Sequence, residues 1–245
     1  MDVSLKEKFL MLWKRYFDGA DLPVILYYTD KKTVEENDPK KSSFCLIACL
    51  NRVRKGTSLR FNTHSVGCPG GKRYAGFNPE ITENFEYFLS CGIPNVMEGE
   101  RYKQSPELVK NWLKDSPPYL ASGSQIVFKR WDHIDEEDEP EAVIFFAKPD
   151  VISGLFTLAN YDLMYQGVTA PFGSGCSSIV MYPVLEGEKE HPHCVFGMFD
   201  PSARPYVERD TLTFAVPMIM FTQMVENMEE SFLITPTWDA IKKRL

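Results

Sequence analysis

Apolar and polar residues recur along the chain in patterns that predict both helices and strands. Near the amino terminus, Leu5, Phe9 and Leu12 are spaced as on one face of a helix, which predicts an amphipathic helix over residues 4–17. The apolar, β-branched and aromatic run over residues 23–28 is typical of a strand in a buried sheet. The chain therefore begins with a helix followed by a buried strand.

The same criteria predict the remaining elements. Helices are expected over residues 43–55, 83–89, 106–114, 150–161, 218–228 and 237–245, and strands over residues 58–62, 125–131, 142–148, 194–199 and 212–216. Ser105 and Asp150 are expected to cap two of these helices. Interspersed elements of both kinds predict the α+β class, with a mixed, mainly antiparallel sheet packed with helices. We expect residues 1–245 to form one compact domain that ends in a helical segment over about 218–245.

Charge and hydropathy limit the classes of function. The formal net charge is -7 and the isoelectric point is near 5.2, which disfavours a general surface for nucleic acid or anionic membranes. The amino terminus lacks the pattern of a secretory signal, and no apolar run is long enough to span a bilayer. We therefore expect a cytoplasmic protein without a nucleic-acid or membrane partner. Apolar strands such as residues 144–146 fit a core or a homo-oligomer interface equally well.

The six cysteines carry the most informative chemistry of the sequence. Six cysteines in 245 residues are too few for a disulfide scaffold. Each cysteine is therefore interpreted as a buried residue, a metal ligand or a reactive thiol. Cys68 is followed by Gly70 and Gly71, which allow the backbone to approach a ligand, and then by Lys72 and Arg73. These two cations would favour a thiolate or an incoming carboxylate or phosphate.

Three other cysteines could join Cys68 in one site. Cys45 and Cys49 are four residues apart and share one face of the predicted helix, where Cys49 is either a core residue or a fourth ligand. Cys176 follows a Gly-Ser-Gly segment, and a helix beginning there would lower the pKa of its thiol. Cys91 and Cys194 lie in apolar contexts and are predicted to be core residues.

Other polar residues can be interpreted either as functional or as structural residues. Arg204 could bind an oxyanion with its two-pronged guanidinium, or it could pair with Asp200. His64 could complete a site with Cys68, although a surface-loop histidine is the more frequent case. The acidic run over residues 135–139 is typical of a solvated turn. The sequence has neither a Gly-x-Ser-x-Gly elbow nor a His-Glu-x-x-His motif, so serine-hydrolase and zinc-protease functions lack support, and catalytic residues stay unassigned.

Taken together, these motifs resemble the family called domain of unknown function 169. The resemblance is carried by four segments in order: Phe44-Cys45, Cys68-Pro69-Gly70-Gly71 followed by Gly76, Lys148-Pro149-Asp150-Val151, and Cys176 after its Gly/Ser-rich stretch. It covers roughly residues 23–216. It implies a prokaryotic protein in which Cys45, Cys68 and Cys176 are the characteristic cysteines, whereas Cys49 lies outside the pattern. It names no reaction.

Three hypotheses follow from these residues. In the first, Cys45, Cys68 and Cys176, with or without Cys49, bind zinc or an iron–sulfur cluster. The adjacent pocket, formed by Gly70, Gly71, Lys72, Arg73 and Arg204, would then bind a small anionic ligand. In the second, a metal-free thiol redox enzyme uses Cys68 as its nucleophile, with Cys176 or Cys45 as the resolving thiol. In the third, the cysteines are core residues of a non-catalytic small-ligand-binding or assembly protein.

Overall fold

The computed structural model describes residues 3–31, 45–116 and 118–245. In these ranges the α-helices are α1 (Val3–Tyr16), α2 (Leu46–Arg54), α3 (Pro69–Tyr74), α4 (Phe85–Phe88), α5 (Pro106–Asp115), α6 (Pro149–Ala159), α7 (Tyr182–Gly187), α8 (Met218–Asn227) and α9 (Pro236–Lys242). The strands are β1 (Val24–Thr29), β2 (Leu59–Asn62), β3 (Gln125–Arg130), β4 (Ala142–Ala147), β5 (Val168–Thr169), β6 (Cys194–Gly197) and β7 (Leu212–Pro217). A π-helical segment, Ser177–Met181, leads directly into α7.

The seven strands form a single sheet in the order β2-β3-β1-β4-β7-β6-β5. Every neighbouring pair is antiparallel except β5 and β6, which run parallel at one edge. All six residues of β4 are buried, as expected for a central strand covered on both faces. The α+β class and the mainly antiparallel sheet are therefore confirmed.

Strand alternation divides the core into two clusters, one on each face of the sheet. Phe145 of β4 packs on one face, together with aromatic residues such as Phe9, Trp13, Phe221 and Trp238 from α1, α8 and α9. The neighbouring β4 residues Ile144 and Phe146 belong to the opposite cluster, with α2 and the π-helical segment. Successive side chains of a strand point to opposite faces, so this division follows directly from the pleat. Cys49 and Cys176 lie in the second cluster, and Cys194 lies in the first.

Most predicted elements lie within two residues of their observed positions, and the exceptions have local causes. The predicted helix over 43–55 begins at Leu46, and its first two residues lie outside the described part of the chain. Ser105 caps α5 as predicted, because its hydroxyl accepts the Leu108 N–H at 3.3 Å. The prediction that Asp150 caps a helix is wrong, since Lys148 holds the cap position and Asp150 lies in the first turn of α6.

The prediction that Cys91 is a core residue is also wrong. Cys91 is exposed, in a turn that follows α4, whereas Cys194 is fully buried in β6 as predicted. The apolar neighbours of Cys91 do not form a regular element that could bury its side chain. None of the helices in the described ranges is both long and apolar enough to cross a membrane.

Candidate functional site

Three separate segments bring their cysteines to the start of a helix on the same face of the sheet. Cys45 is the N-cap residue of α2 and Cys68 is the N-cap residue of α3, both with extended backbone. Cys176 lies in the first turn of the helical stretch over residues 175–187, where Ser174 accepts the Ser177 N–H at 3.1 Å. Backbone N–H groups at helix starts stabilise negative charge, and the amides of Ile47 and Ala48 act in this way on Cys45.

The pKa values of these cysteines depend on one another. Burial raises the pKa of Cys176 well above its usual value, and the charges of Cys68, Cys45 and Cys49 raise it further. Burial also raises the pKa of Cys45; the amides of Ala48 and Ile47 oppose this shift, and the charge of Cys68 adds to it. We call Cys45, Cys49, Cys68 and Cys176 the thiol cluster. No disulfide joins any of the six cysteines, all of which the structure describes.

Cys49 is the most ambiguous member of the thiol cluster. It is buried one helical turn after Cys45, and burial followed by the charge of Cys45 raises its pKa, while Arg52 lowers it. It packs with the apolar residues of the second core cluster. This position is compatible with a core residue and also with a fourth ligand, as the sequence suggests.

The two glycines after Cys68 have different surroundings. The Gly71 N–H donates a hydrogen bond to Cys68 Sγ at 3.1 Å, and a Cβ atom at Gly71 would lie 2.8 Å from that sulfur. A Cβ atom at Gly70 would meet nothing within 4 Å. Gly71 is therefore required for the contact between the backbone and the Cys68 sulfur, whereas Gly70 faces open space.

Of the three predicted anion-binding cations, Arg73 alone is among the described residues that line a cavity next to the thiol cluster. Arg73 lines the neighbouring cavity described below and donates a hydrogen bond to the Pro79 carbonyl. Lys72 does not appear among the described lining residues of that cavity, and neither does Arg204. The Arg204 guanidinium instead donates to three backbone carbonyls, those of Thr211, Glu208 and Arg209. This arrangement gives Arg204 a structural role, and its side chain makes no described contact with the Asp200 carboxylate.

A cavity of about 590 Å³ lies beside the thiol cluster. Its wall includes Pro69 and Gly70, which follow Cys68, and Ser174 and Ser178, which flank Cys176. Most of the wall is apolar, with the aromatic side chains Tyr74, Phe85, Phe88, Tyr102, Trp112, Phe172 and Phe199. We call this space the aromatic cavity. Its volume falls in the range of small-molecule binding sites.

Asp200 connects the aromatic cavity to the thiol cluster. It lines the cavity, and one carboxylate oxygen accepts the Gly175 N–H at 3.0 Å, directly before Cys176. The other oxygen accepts the N–H and the hydroxyl of Ser202 at 2.9 and 2.8 Å. Its negative charge contributes to the raised pKa of Cys176 and of Cys45. From the sequence, Asp200 is expected only as a partner of Arg204.

A family model for DUF169, described as uncharacterised ArCR, matches residues 20–227. The chain belongs to the DUF169 family. This match contains the whole thiol cluster and every described residue that lines the aromatic cavity. No curated protein and no solved structure matches the chain.

Several residues of this DUF169 site could not be predicted from the sequence. Trp112 and Phe172 are sixty residues apart in the chain, but their rings meet edge to face in the cavity wall, with centroids 5.4 Å apart. Neither residue belongs to a motif, and Phe172 lies outside regular secondary structure. The only signal was the proximity of Phe172 to Cys176 in sequence. His64, considered as a partner of Cys68, is exposed in the turn after β2.

Proposed function

We propose that Cys45, Cys68 and Cys176 of this DUF169 protein bind a soft metal ion or an iron–sulfur cluster beside a cavity for a small organic molecule. The observation that supports the proposal is that three cysteines from distant segments lie at the starts of three helices on one face of the sheet. The charge of Cys68 raises the pKa of both Cys45 and Cys176, which agrees with this placement. Thiolates from distant segments are common ligands of zinc and of iron–sulfur clusters.

The donor set fits a soft metal better than a hard one. The donor set consists of the three thiols, with the Cys49 sulfur as a fourth. Asp200 is the oxygen donor next to them. Soft thiolate ligands favour zinc and iron–sulfur clusters, whereas calcium and magnesium prefer oxygen. In the described parts of the chain, no three such side chains already form a metal-ligand group.

The deciding experiment is to measure metal and acid-labile sulfide in protein purified without oxygen. The native protein is compared with Cys68→Ser, and Cys91→Ser serves as the matched control because Cys91 is exposed and outside the thiol cluster. We expect the native protein and the control to contain equal metal, and the Cys68→Ser variant to lose it. Iron with labile sulfide and visible absorption identifies a cluster, and zinc alone identifies a mononuclear site.

Two results would refute the metal proposal. The first is a native protein that, even after incubation with zinc or with iron and sulfide, binds no more metal than Cys68→Ser. The second is an equal loss of metal in Cys68→Ser and Cys91→Ser. Circular dichroism of each variant shows whether the fold is intact, so a loss caused by unfolding is recognised.

The second candidate is a metal-free thiol redox enzyme, favoured by the absence of a formed metal-ligand group among the described residues. Cys68, which is partly exposed, would attack a substrate disulfide and release one substrate thiolate. Cys176 or Cys45 would then attack the mixed disulfide, release the second substrate thiolate and leave an intramolecular disulfide. Peptide mapping after treatment with oxidised glutathione tests this sequence, because it identifies the cysteine joined to Cys68.

Metal-free protein with unreactive thiols would support the third candidate, a non-catalytic protein that uses the aromatic cavity to bind a ligand.

The cytoplasm is the expected location for each candidate, because reduced thiols persist there. Homo-oligomerisation also stays a prediction, and sedimentation of the purified protein tests it.

A further inference from the structure

The aromatic cavity has a composition that selects for one kind of ligand. The rings of Trp112 and Phe172 are nearly perpendicular, with an interplanar angle of 74°, and both line the cavity. Phe85, Phe88 and Tyr102 add further rings to the same wall. The faces of aromatic rings carry negative quadrupole charge and attract cations that are weakly hydrated.

The charged groups of the cavity wall are mainly acidic. Glu80, Glu83, Glu100 and Asp200 line the cavity, whereas Arg73 is the single cationic residue among its described lining. The Arg73 guanidinium donates a hydrogen bond to a backbone carbonyl, which holds it in place. The lining therefore carries more acidic than basic residues, which disfavours an anionic ligand.

Two local interactions affect the charge of the cavity wall. The Lys103 ammonium lies 4.3 Å from the centroid of the Phe172 ring, so a cation of the protein itself occupies one face of this ring, and a bound cation would use the other rings of the wall. Burial, followed by Glu100 and Asp200, raises the pKa of Tyr102, which agrees with a negative potential at this part of the wall. Lys103 itself does not line the cavity in the described chain.

From this geometry we infer that the aromatic cavity binds a small apolar organic cation, of the aryl or alkyl ammonium class. The rings supply cation–π contacts and the carboxylates supply long-range attraction, while the apolar wall accommodates the hydrocarbon part. The inference goes beyond the metal centre proposed above, because no cysteine lines the cavity among the described residues. It is therefore tested on metal-free protein and repeated on Cys68→Ser.

The test uses three probes of the same shape and different charge: phenyltrimethylammonium, tert-butylbenzene and benzenesulfonate. Each carries one phenyl ring and one tetrahedral head group; the ammonium and tert-butyl probes are isosteric and differ in charge, whereas the sulfonate is anionic and also accepts hydrogen bonds. Calorimetry should show that the cation binds at least about fivefold more tightly than the neutral probe, as expected for a cation–π site. The anion should bind more weakly than either.

Intrinsic fluorescence locates the binding event. Trp112 lines the cavity, whereas Trp13, Trp131 and Trp238 are buried in the core cluster on the opposite face of the sheet. The cation should change the fluorescence of the native protein, and the change should disappear in Trp112→Phe. A fluorescence change that persists unaltered in this variant would place the probe elsewhere and overturn the inference.

A charge variant tests the role of the carboxylates. The double change Glu83→Gln with Glu100→Gln removes two exposed charges from the cavity wall and should weaken binding of the cation about two- to tenfold. Binding of tert-butylbenzene should not change. The matched control, Glu139→Gln with Glu190→Gln, removes two exposed charges outside the cavity and should leave both affinities unchanged.

Three outcomes overturn the inference. The first is that benzenesulfonate or tert-butylbenzene binds as tightly as the cation. The second is that the cation does not bind at millimolar concentration, and the third is that the control weakens cation binding as much as the cavity variant does. Because Cys68→Ser is tested in parallel, failure of the metal centre and failure of the cation site are recognised separately.

Discussion

The carboxylate of Asp200 accepts a hydrogen bond from the backbone N–H of Gly175 at 3.0 Å, and this contact joins the aromatic cavity to the thiol cluster. Gly175 directly precedes Cys176, and a Cβ atom at Gly175 would lie 2.7 Å from the Ala203 side chain. The backbone at the start of this helix is therefore held on both sides. Asp200 is therefore in contact both with the cavity and with the segment that carries Cys176.

The first prediction concerns this contact. Asp200→Ala removes the acceptor for Gly175 and for two donors of Ser202, and should destabilise the protein by about 1–3 kcal/mol. The Cys176 thiol, which is buried in the native protein, should react faster with a maleimide. Urea unfolding and timed alkylation measure the two effects. Asp162→Ala, at an exposed aspartate, is the control, and equal alkylation rates in all three proteins would contradict the prediction.

The second prediction compares the two glycines after Cys68. Gly71→Ala places a Cβ atom 2.8 Å from Cys68 Sγ and 3.0 Å from a methyl group of Val66, so side chains must move. We expect a loss of about 1–3 kcal/mol in the free energy of unfolding, as for other overpacked sites. We also expect weaker binding of any metal held by Cys68.

Gly70→Ala is the matched control for this change. A Cβ atom at Gly70 meets nothing within 4 Å, so its effect on stability should stay within about 0.5 kcal/mol. Urea unfolding of both variants and their metal content give the comparison. Equal behaviour of the two variants would show that the close contact at Gly71 does not position the Cys68 side chain.

The sequence predicts the helices and strands of this fold better than the tertiary contacts between them. Strands such as β1 and β4 were found because a buried strand is a continuous apolar run, a signal contained in a few adjacent residues. The order of the cysteines along the chain and the glycines next to them indicated Cys45, Cys68 and Cys176 as candidate site residues. The ring contact between Trp112 and Phe172 depends instead on tertiary packing of segments without a shared pattern. The exposure of Cys91 has the same origin, since burial depends on what packs above a residue.

The third prediction separates a structural role of Arg204 from an anion-binding role. Its guanidinium donates to the carbonyls of Thr211, Glu208 and Arg209, a pattern that a lysine ammonium cannot reproduce. Arg204→Lys should therefore destabilise the protein by about 1–3 kcal/mol in urea unfolding. Its affinity for benzenesulfonate should equal that of the native protein.

Arg209→Lys, at an exposed arginine, is the control for Arg204→Lys and should have native stability. The opposite pattern would restore the reading of Arg204 as an oxyanion ligand: a native free energy of unfolding for Arg204→Lys together with weaker binding of benzenesulfonate.

The fourth prediction concerns Glu141, whose carboxylate accepts the Tyr28 N–H at 2.9 Å. Burial is the main cause that raises its pKa, so the folded protein holds this proton more tightly than the unfolded chain does. The resulting stability is fully present below the unfolded pKa of about 4.3 and is lost as the pH rises through the higher folded pKa. Glu141→Gln keeps an acceptor oxygen and lacks this ionisation, so its stability should fall less over that pH window. Urea unfolding at a series of pH values measures the difference, with Glu139→Gln, at an exposed glutamate, as the control. Parallel profiles for the native protein and Glu141→Gln would show that folding does not change the proton affinity of Glu141.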